Sequence, residues 1–140
     1  MSASTPPLYA SLSVALGGGI GALARYHLGR WMAGWLGPDA MTVFPFATLA
    51  VNAIGSVLMG LLAGWLAQRG GGLGLPGDQM RLLLGVGVLG GFTTFSAFSL
   101  EMVLLIERGQ LTLALLYVLL SLGLCLSGLM IGLMMTRLFT

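Results

Sequence analysis

Four long apolar stretches dominate the pattern of hydrophobic and polar positions along the chain. They cover roughly residues 10–35, 44–67, 80–106 and 111–136. Because about 20 mainly apolar residues suffice for a helix to cross the hydrocarbon core of a bilayer, each stretch is long enough to span it. The pattern therefore predicts an all-α integral membrane protein, in which residues 1–140 form a single four-helix domain with short loops.

The third stretch is interrupted at residues 90–99 by glycines, hydroxyl side chains and phenylalanines. Backbone groups in hydrocarbon must find partners inside the protein, so irregular backbone at that depth is tolerated only where it is buried or lines a cavity. Three phenylalanines, the last two of which are Phe95 and Phe98, recur at every third position. We expect a helix break at Gly90 and Gly91, followed by a functional site.

Two tracks of polar side chains follow the second and fourth stretches, each with members at positions i, i+4 and i+8. The tracks are Thr48, Asn52 and Ser56 in the second stretch, and Tyr117, Ser121 and Cys125 in the fourth. This spacing places each set on one helical face. Buried amides normally have hydrogen-bonding partners. Considered without the other stretches, Asn52 is equally consistent with a hydrogen bond between helices and with the lining of a pore.

Composition and charge narrow the class of protein. The chain is 57% hydrophobic and 7% charged, with a mean hydropathy of +1.00. A soluble domain of this size does not have such a composition. The formal net charge of +2 is too small to indicate a nucleic-acid partner.

The arginines predict how the helices are oriented. Lysine is absent, so the six arginines are the only residues that can orient the bundle by the positive-inside rule. Three arginines fall near each side of the membrane: Arg69, Arg81 and Arg137 on one side, and Arg25, Arg30 and Arg108 on the other. A chain without charge bias is expected to insert in both orientations, which predicts dual topology and an antiparallel homodimer. Alternatively, Arg25 lies too deep in its helix to count, which leaves a weak bias.

The residues needed for common kinds of enzyme catalysis are missing. The sequence has no pair of embedded carboxylates, no cluster of His and Cys at metal-ligand spacing, and no Ser, His and Asp set. The polar tracks instead supply donors: an amide, hydroxyls and the electropositive edges of phenylalanine rings. Because a buried charge is very costly unless its hydration is replaced, these donors suit a small anion. We therefore expect a protein that is not an enzyme and that binds an anion.

The run GGFTTFSAFS at residues 90–99 resembles the Fluc family of fluoride channels, also called CrcB, when it is taken together with Asn52 and the pair Arg25 and Tyr26. The resemblance covers nearly the whole chain, including its length and four-helix plan. It implies an antiparallel, dual-topology homodimer with two pores in the lipid bilayer of the bacterial cytoplasmic membrane. The implied function is passive export of fluoride from the cytoplasm, which reduces fluoride toxicity.

The resemblance also implies roles for individual residues. Phe95 and Phe98 would present their ring edges to fluoride, and Asn52 would donate from its amide beside them. The other pore-lining residues that it implies are Thr48, Tyr117 and Ser121.

A structural sodium ion, which is not transported, is implied at the centre of the dimer. Backbone carbonyls of Gly90 and Thr93 would bind it, because the carbonyls of a broken helix are suitable ligands for a hard cation. Arg25 would lie at the pore vestibule. The chain departs from the family pattern at Ala97 and at Cys125, where hydroxyl residues are expected. Because a thiol is a poor donor, Cys125 is left out of the predicted site.

Two other functions are compatible with four short spans. Proton-coupled export, as in the small multidrug transporters, requires a titratable carboxylate deep in an early span, but the first two stretches contain no Asp or Glu. Glu101 in the third stretch is the only candidate. A membrane scaffold without transport would use Asn52 and the phenylalanines only for packing. Replacing Phe95 or Phe98 with isoleucine distinguishes these functions, because a channel should stay folded and lose flux.

Overall fold

The computed structural model describes residues 7–69 and 77–138. Four helical segments in these ranges are long and apolar enough to cross a membrane: Pro7–Leu36, Phe46–Gln68, Gly77–Glu107 and Leu111–Leu138. The predicted four-span architecture is confirmed, and the described ranges contain helices and no strand. The loop predicted near residues 68–80 lies partly outside the described residues.

A short helix, which the sequence pattern did not predict, joins the first two spans. α1 (Pro7–Leu36) is followed by Gly37, whose φ of 83° lies in the region that favours glycine. α2 (Pro38–Val43) follows, with a proline at its first position, where the missing N–H has no cost. Arg108, at the end of the third span, donates from Nη1 to the Thr42 carbonyl oxygen (3.0 Å). This bond ties α2 to the third span.

The second and fourth spans are single helices, whereas the third span is interrupted. In chain order the elements are α3 (Phe46–Arg69), α4 (Gly77–Met80), a π-helical segment (Arg81–Leu89), α5 (Gly90–Phe92), α6 (Phe95–Glu107) and α7 (Leu111–Leu138). Gly90 and Gly91 are helical, so the predicted break at these two glycines is wrong. The break falls at Thr93 and Thr94, whose backbones are extended.

The glycines of the third span pack closely against α1 instead of breaking the helix. A Cβ at Gly91 would lie 2.5 Å from the Gly18 carbonyl oxygen, and one at Gly87 would lie 2.9 Å from the Gly17 Cα. Small residues commonly allow membrane helices to approach this closely. These glycines therefore serve packing, and the break lies where a side chain of another helix can satisfy the exposed backbone groups.

α3 and α7 also pack through small residues, and they run parallel. A Cβ at Gly60 would collide with the Leu129 carbonyl oxygen, and one at Gly64 would collide with the Thr136 side chain. The residues in contact therefore rise in number together along both helices. This arrangement brings the polar track of α3 alongside that of α7.

Candidate functional site

Asn52 on α3 is hydrogen-bonded to both backbone groups of Thr94. Its Nδ2 donates to the Thr94 carbonyl oxygen (2.9 Å), and its Oδ1 accepts from the Thr94 backbone nitrogen (2.8 Å). In a continuous α-helix the Thr94 N–H would donate to the carbonyl of Gly90, four residues earlier. The side-chain amide thus replaces the missing helical acceptor of the Thr94 N–H, which makes extended backbone tolerable in an apolar span.

Both threonines at the break bond locally. Thr93 donates from its backbone nitrogen (3.0 Å) and from its Oγ1 (2.9 Å) to the Leu89 carbonyl oxygen. Thr94 is the N-cap of α6, and its Oγ1 accepts a hydrogen bond from the Ala97 backbone nitrogen (3.2 Å). The N-terminus of α6, which is the positive end of its dipole, therefore lies at the break.

A cavity of about 330 Å³ opens beside the break. Its wall brings together five of the predicted site residues: Asn52, Thr93, Phe95, Phe98 and Ser121. Cys125, which the sequence analysis left out of the site, lines the same cavity. The described lining carries no charged side chain. We call this space the donor cavity.

The two phenylalanines form one side of the donor cavity. Their ring centroids are 5.5 Å apart, with an angle of 36° between the ring planes. Phe95 is 78% exposed in the single chain, whereas Phe98 is half-buried. Phe98 also packs against Tyr117, with a centroid distance of 4.9 Å. Phe98 is therefore held by neighbouring aromatic rings, while Phe95 projects from the chain.

Ser121 lines the donor cavity and has a buried hydroxyl without a partner in the described ranges. Its side chain is only 8% exposed, and its Oγ has no hydrogen-bond partner within residues 7–69 and 77–138. A buried hydroxyl without a partner costs about 1–3 kcal/mol.

Thr48 and Tyr117 are hydrogen-bonded to Glu101 and are not part of the donor-cavity wall. Thr48 Oγ1 donates to Glu101 Oε1 (2.6 Å), and the Tyr117 hydroxyl donates to Oε2 (2.7 Å). Glu101 was not among the predicted pore residues. Its position three residues after Phe98 was the available signal, because that spacing places both side chains on one helical face.

Replacing Glu101 with leucine is expected to destabilise the fold by about 2–4 kcal/mol, because two buried hydroxyls lose their acceptor. Thr48 is 8% exposed and Tyr117 is fully buried, so water does not readily replace the carboxylate. Glu101→Gln keeps one acceptor oxygen and should cost clearly less. Denaturant unfolding in detergent, followed by tryptophan fluorescence, measures both changes. Equal stability of the leucine and glutamine variants would contradict the role of the carboxylate as shared acceptor.

A second cavity has a volume of about 390 Å³. Thr94 of the break and Thr48, which bonds to Glu101, both line it. Arg25 and Arg30 line it, so this space is positively charged, in contrast to the donor cavity. Ala97, the first departure from the family pattern, lies on its wall. Arg25 remains a predicted vestibule residue, now with a defined cavity beside it.

Of the predicted sodium ligands, Thr93 lies at the break and Gly90 lies in the helical turn before it. In the described ranges, no group of three or more His, Cys, Asp or Glu side chains could hold a metal ion. Gly90 lies outside both cavities, and its carbonyl is the one that loses its helical donor when the Thr94 N–H bonds to Asn52. An oxygen released in this way is chemically suited to a hard cation.

Four apolar spans around an uncharged, donor-lined cavity define a membrane transport protein for a small solute. The chain belongs to the CrcB family, since a family model described as CrcB-like protein, Camphor Resistance (CrcB), matches residues 12–133.

Three curated relatives show how similar the family members are. A protein of Erythrobacter litoralis is 63% identical over 134 residues, which is 96% of each chain. A protein of Novosphingobium aromaticivorans is 55% identical over 128 residues, covering 91% of this chain and 96% of the relative. A protein of Phenylobacterium zucineum is 50% identical over 130 residues, covering 93% and 97%. Each of the three is named a fluoride-specific ion channel FluC.

Proposed function

We propose that this multi-pass membrane protein is a fluoride-selective channel that exports fluoride passively from the bacterial cytoplasm and so reduces its toxicity. The observation that carries the proposal is the donor cavity, which Asn52 and Ser121 line together with Phe95 and Phe98. The names of the relatives point to the same ion. The protein is a channel and not an enzyme.

The donor cavity suits a small anion because its wall replaces hydration without a fixed opposite charge. The amide and hydroxyl donate hydrogen bonds, the ring edges are electropositive, and the N-terminus of α6 adds a favourable dipole. A strongly basic wall would hold the ion too tightly for conduction, which requires binding that is weak enough for release. An interior-negative potential of about 100 mV favours anion exit by roughly 2.3 kcal/mol per charge, so no pump is required.

Ion efflux from liposomes tests the proposal. Purified protein is reconstituted into vesicles that contain potassium fluoride or potassium chloride. Valinomycin is then added so that potassium ions leave together with the anion and no opposing membrane potential builds up. We expect rapid fluoride efflux, measured with a fluoride electrode. Chloride efflux should stay close to that of empty vesicles. Equal rates for both ions would contradict selectivity. Efflux that appears only with an imposed proton gradient would instead indicate the proton-coupled exporter, and no efflux would indicate a scaffold.

The proposal includes an antiparallel homodimer of two inverted copies with two pores. The even division of the six arginines supports it. The 78% exposure of Phe95 beside the donor cavity supports it as well, because a second copy would cover this ring and complete the wall. Mass measurement in detergent tests the stoichiometry. Labelling of a cysteine placed at either terminus from both sides of the membrane tests the dual topology.

We further propose that the Gly90 and Thr93 carbonyls of both copies hold a structural sodium ion. When bound, the ion would supply the positive charge that offsets the repulsion among these carbonyl oxygens. Replacing sodium on both sides of the membrane with a large organic cation is expected to lower fluoride efflux. Radioactive sodium added to the vesicles should not be released. Efflux that is unaffected by sodium removal would contradict the site.

A further inference from the structure

We propose that a cleft between α1 and α3 binds a phosphate group, and we expect the headgroup of an anionic phospholipid to supply it. The cleft is the second cavity, of about 390 Å³, which Arg25 and Arg30 of α1 line together with Ala47 and Val51 of α3. We call it the arginine cleft. The inference goes beyond the proposed function, because phosphate binding does not depend on which ion the donor cavity conducts.

The positive charges of the arginine cleft lack a counter-charge. The described part of its lining contains two arginines and no Asp or Glu. Arg25 is half-buried and has no hydrogen bond or ion pair within residues 7–69 and 77–138. A charged side chain inside a membrane span is costly unless it reaches the interface or finds a partner. An anion from outside the chain would supply that partner.

Arg30 is held in place by the ring of Tyr26. Its Nη1 donates to the Tyr26 hydroxyl (3.3 Å), and its guanidinium carbon lies 5.9 Å from the ring centroid. A guanidinium has five N–H donors, so this single bond leaves the other donors for a ligand. The planar fork of a guanidinium matches two oxygens of one phosphate group. Two arginines that line one cavity therefore favour a phosphate over a single-atom anion.

The size of the arginine cleft also fits a headgroup. Its volume of about 390 Å³ is more than ten times the roughly 30 Å³ that one water molecule occupies in the liquid. The small side chains of Ala33, Ala47 and Ala97 on its wall leave this room. A single small ion would not fill the space, whereas a phosphate with part of its glycerol ester would.

The position of the arginine cleft along α1 indicates a lipid as the source of the phosphate. Trp31 and Trp35, which follow Arg30, are exposed and stacked, with ring centroids 6.0 Å apart and 10° between the ring planes. Tryptophans concentrate at the level of the lipid headgroups. Arg25 lies six residues before Trp31, about 9 Å further into the span. Basic pockets of this kind between membrane helices bind anionic headgroups.

The experiment measures ligands bound to the full chain after it has been purified in detergent and stripped of lipid. Native mass spectrometry counts bound lipids during titration with phosphatidylglycerol, which is anionic, or with phosphatidylcholine, which has the same phosphodiester but no net charge. Inorganic phosphate is titrated separately, and the shift of the thermal unfolding midpoint is the readout. The two arms distinguish a lipid phosphate from a free one.

Four variants locate the site. Arg25→Gln and Arg30→Gln each remove one guanidinium, and Arg81→Gln is the matched control, because Arg81 is exposed and lies outside the arginine cleft. Ala33→Leu keeps both arginines and fills the space. The unfolding midpoint of each variant is measured first without lipid. Since Arg25 has no partner in the described part of the chain, Arg25→Gln should leave this midpoint unchanged or raise it.

The wild type and Arg81→Gln should bind one phosphatidylglycerol per chain with equal affinity, and phosphatidylcholine more weakly. Arg25→Gln and Arg30→Gln should each lower the affinity about 10- to 100-fold, because a hydrogen bond to a charged group is lost. Ala33→Leu should lower it as well. If inorganic phosphate raises the midpoint of the wild type but not of Arg25→Gln, and lipid does not bind, the phosphate site stands and its ligand is a free oxyanion.

Binding that is the same in all variants, or that falls equally in Arg81→Gln, would overturn the proposal. So would a loss of fluoride efflux in Arg25→Gln with lipid and phosphate binding unchanged, because Arg25 would then serve the vestibule alone. A wild type without fluoride efflux would contradict the channel function, and the binding measurements would still decide the phosphate site.

Discussion

Replacing Phe98 with isoleucine is expected to slow fluoride efflux by about 100-fold while leaving the protein folded. In the proposed channel, the Phe98 ring edge would stand in for a hydrogen bond to a desolvated charge, which contributes about 1.5–3 kcal/mol. A barrier higher by nearly 3 kcal/mol slows passage by about two factors of ten. Isoleucine is similar in volume, so the cost to stability of this half-buried site should stay below about 1.5 kcal/mol. Liposome efflux and thermal unfolding in detergent measure the two quantities.

Phe46→Ile is the matched control for this substitution. Phe46 is 38% exposed and pairs with Phe44 at a centroid distance of 4.9 Å, away from the donor cavity. This variant loses a similar ring without touching the proposed path, so its efflux should match that of the wild type. If both variants lose stability and neither changes flux, the phenylalanines serve packing alone and the ring-edge role of Phe98 is wrong.

The spans could be predicted from sequence because length and hydropathy are local properties of each stretch. The site of the break could not be predicted in this way. Glycine has a low helix propensity, which favoured a break at residues 90–91, but the partner that makes extended backbone tolerable is a side chain 42 residues away.

The candidate site was predicted in outline, and its connections were not. Asn52 and Ser121 stood out as polar residues in apolar spans, and both line the donor cavity. Glu101 was considered only as a candidate proton carrier. Its hydrogen bonds could not be predicted, because the two donors lie on α3 and α7 and no local spacing in the sequence links three helices. Cys125 was set aside because a thiol is a weak donor, but its side chain lines the donor cavity.

Replacing Asn52 with leucine is expected to lower the free energy of unfolding by about 3 kcal/mol and to abolish fluoride efflux. The change removes two hydrogen bonds and leaves the N–H of buried Thr94 without a partner, and an unsatisfied buried group costs about 1–3 kcal/mol on top of the lost bonds. Asn52→Asp keeps an acceptor for the Thr94 N–H but sets a carboxylate oxygen against the Thr94 carbonyl and places a negative charge on the donor-cavity wall. Efflux should therefore be lost in this variant as well.

Ser56→Ala is the control, because the Ser56 hydroxyl donates to the Asn52 carbonyl oxygen of its own helix (2.8 Å) and holds no other segment. Its unfolding free energy should change by less than about 1 kcal/mol.

The free energy of unfolding and the fluoride efflux of the Asn52 variants together separate the two roles that the sequence left open for Asn52. Loss of stability with normal efflux would show that the amide only holds the break, and loss of efflux with normal stability would show that it only donates to the ion. We expect both losses, because the amide that closes the broken helix also lines the cavity: its second Nδ2 hydrogen is not needed for Thr94 and remains available for the ion.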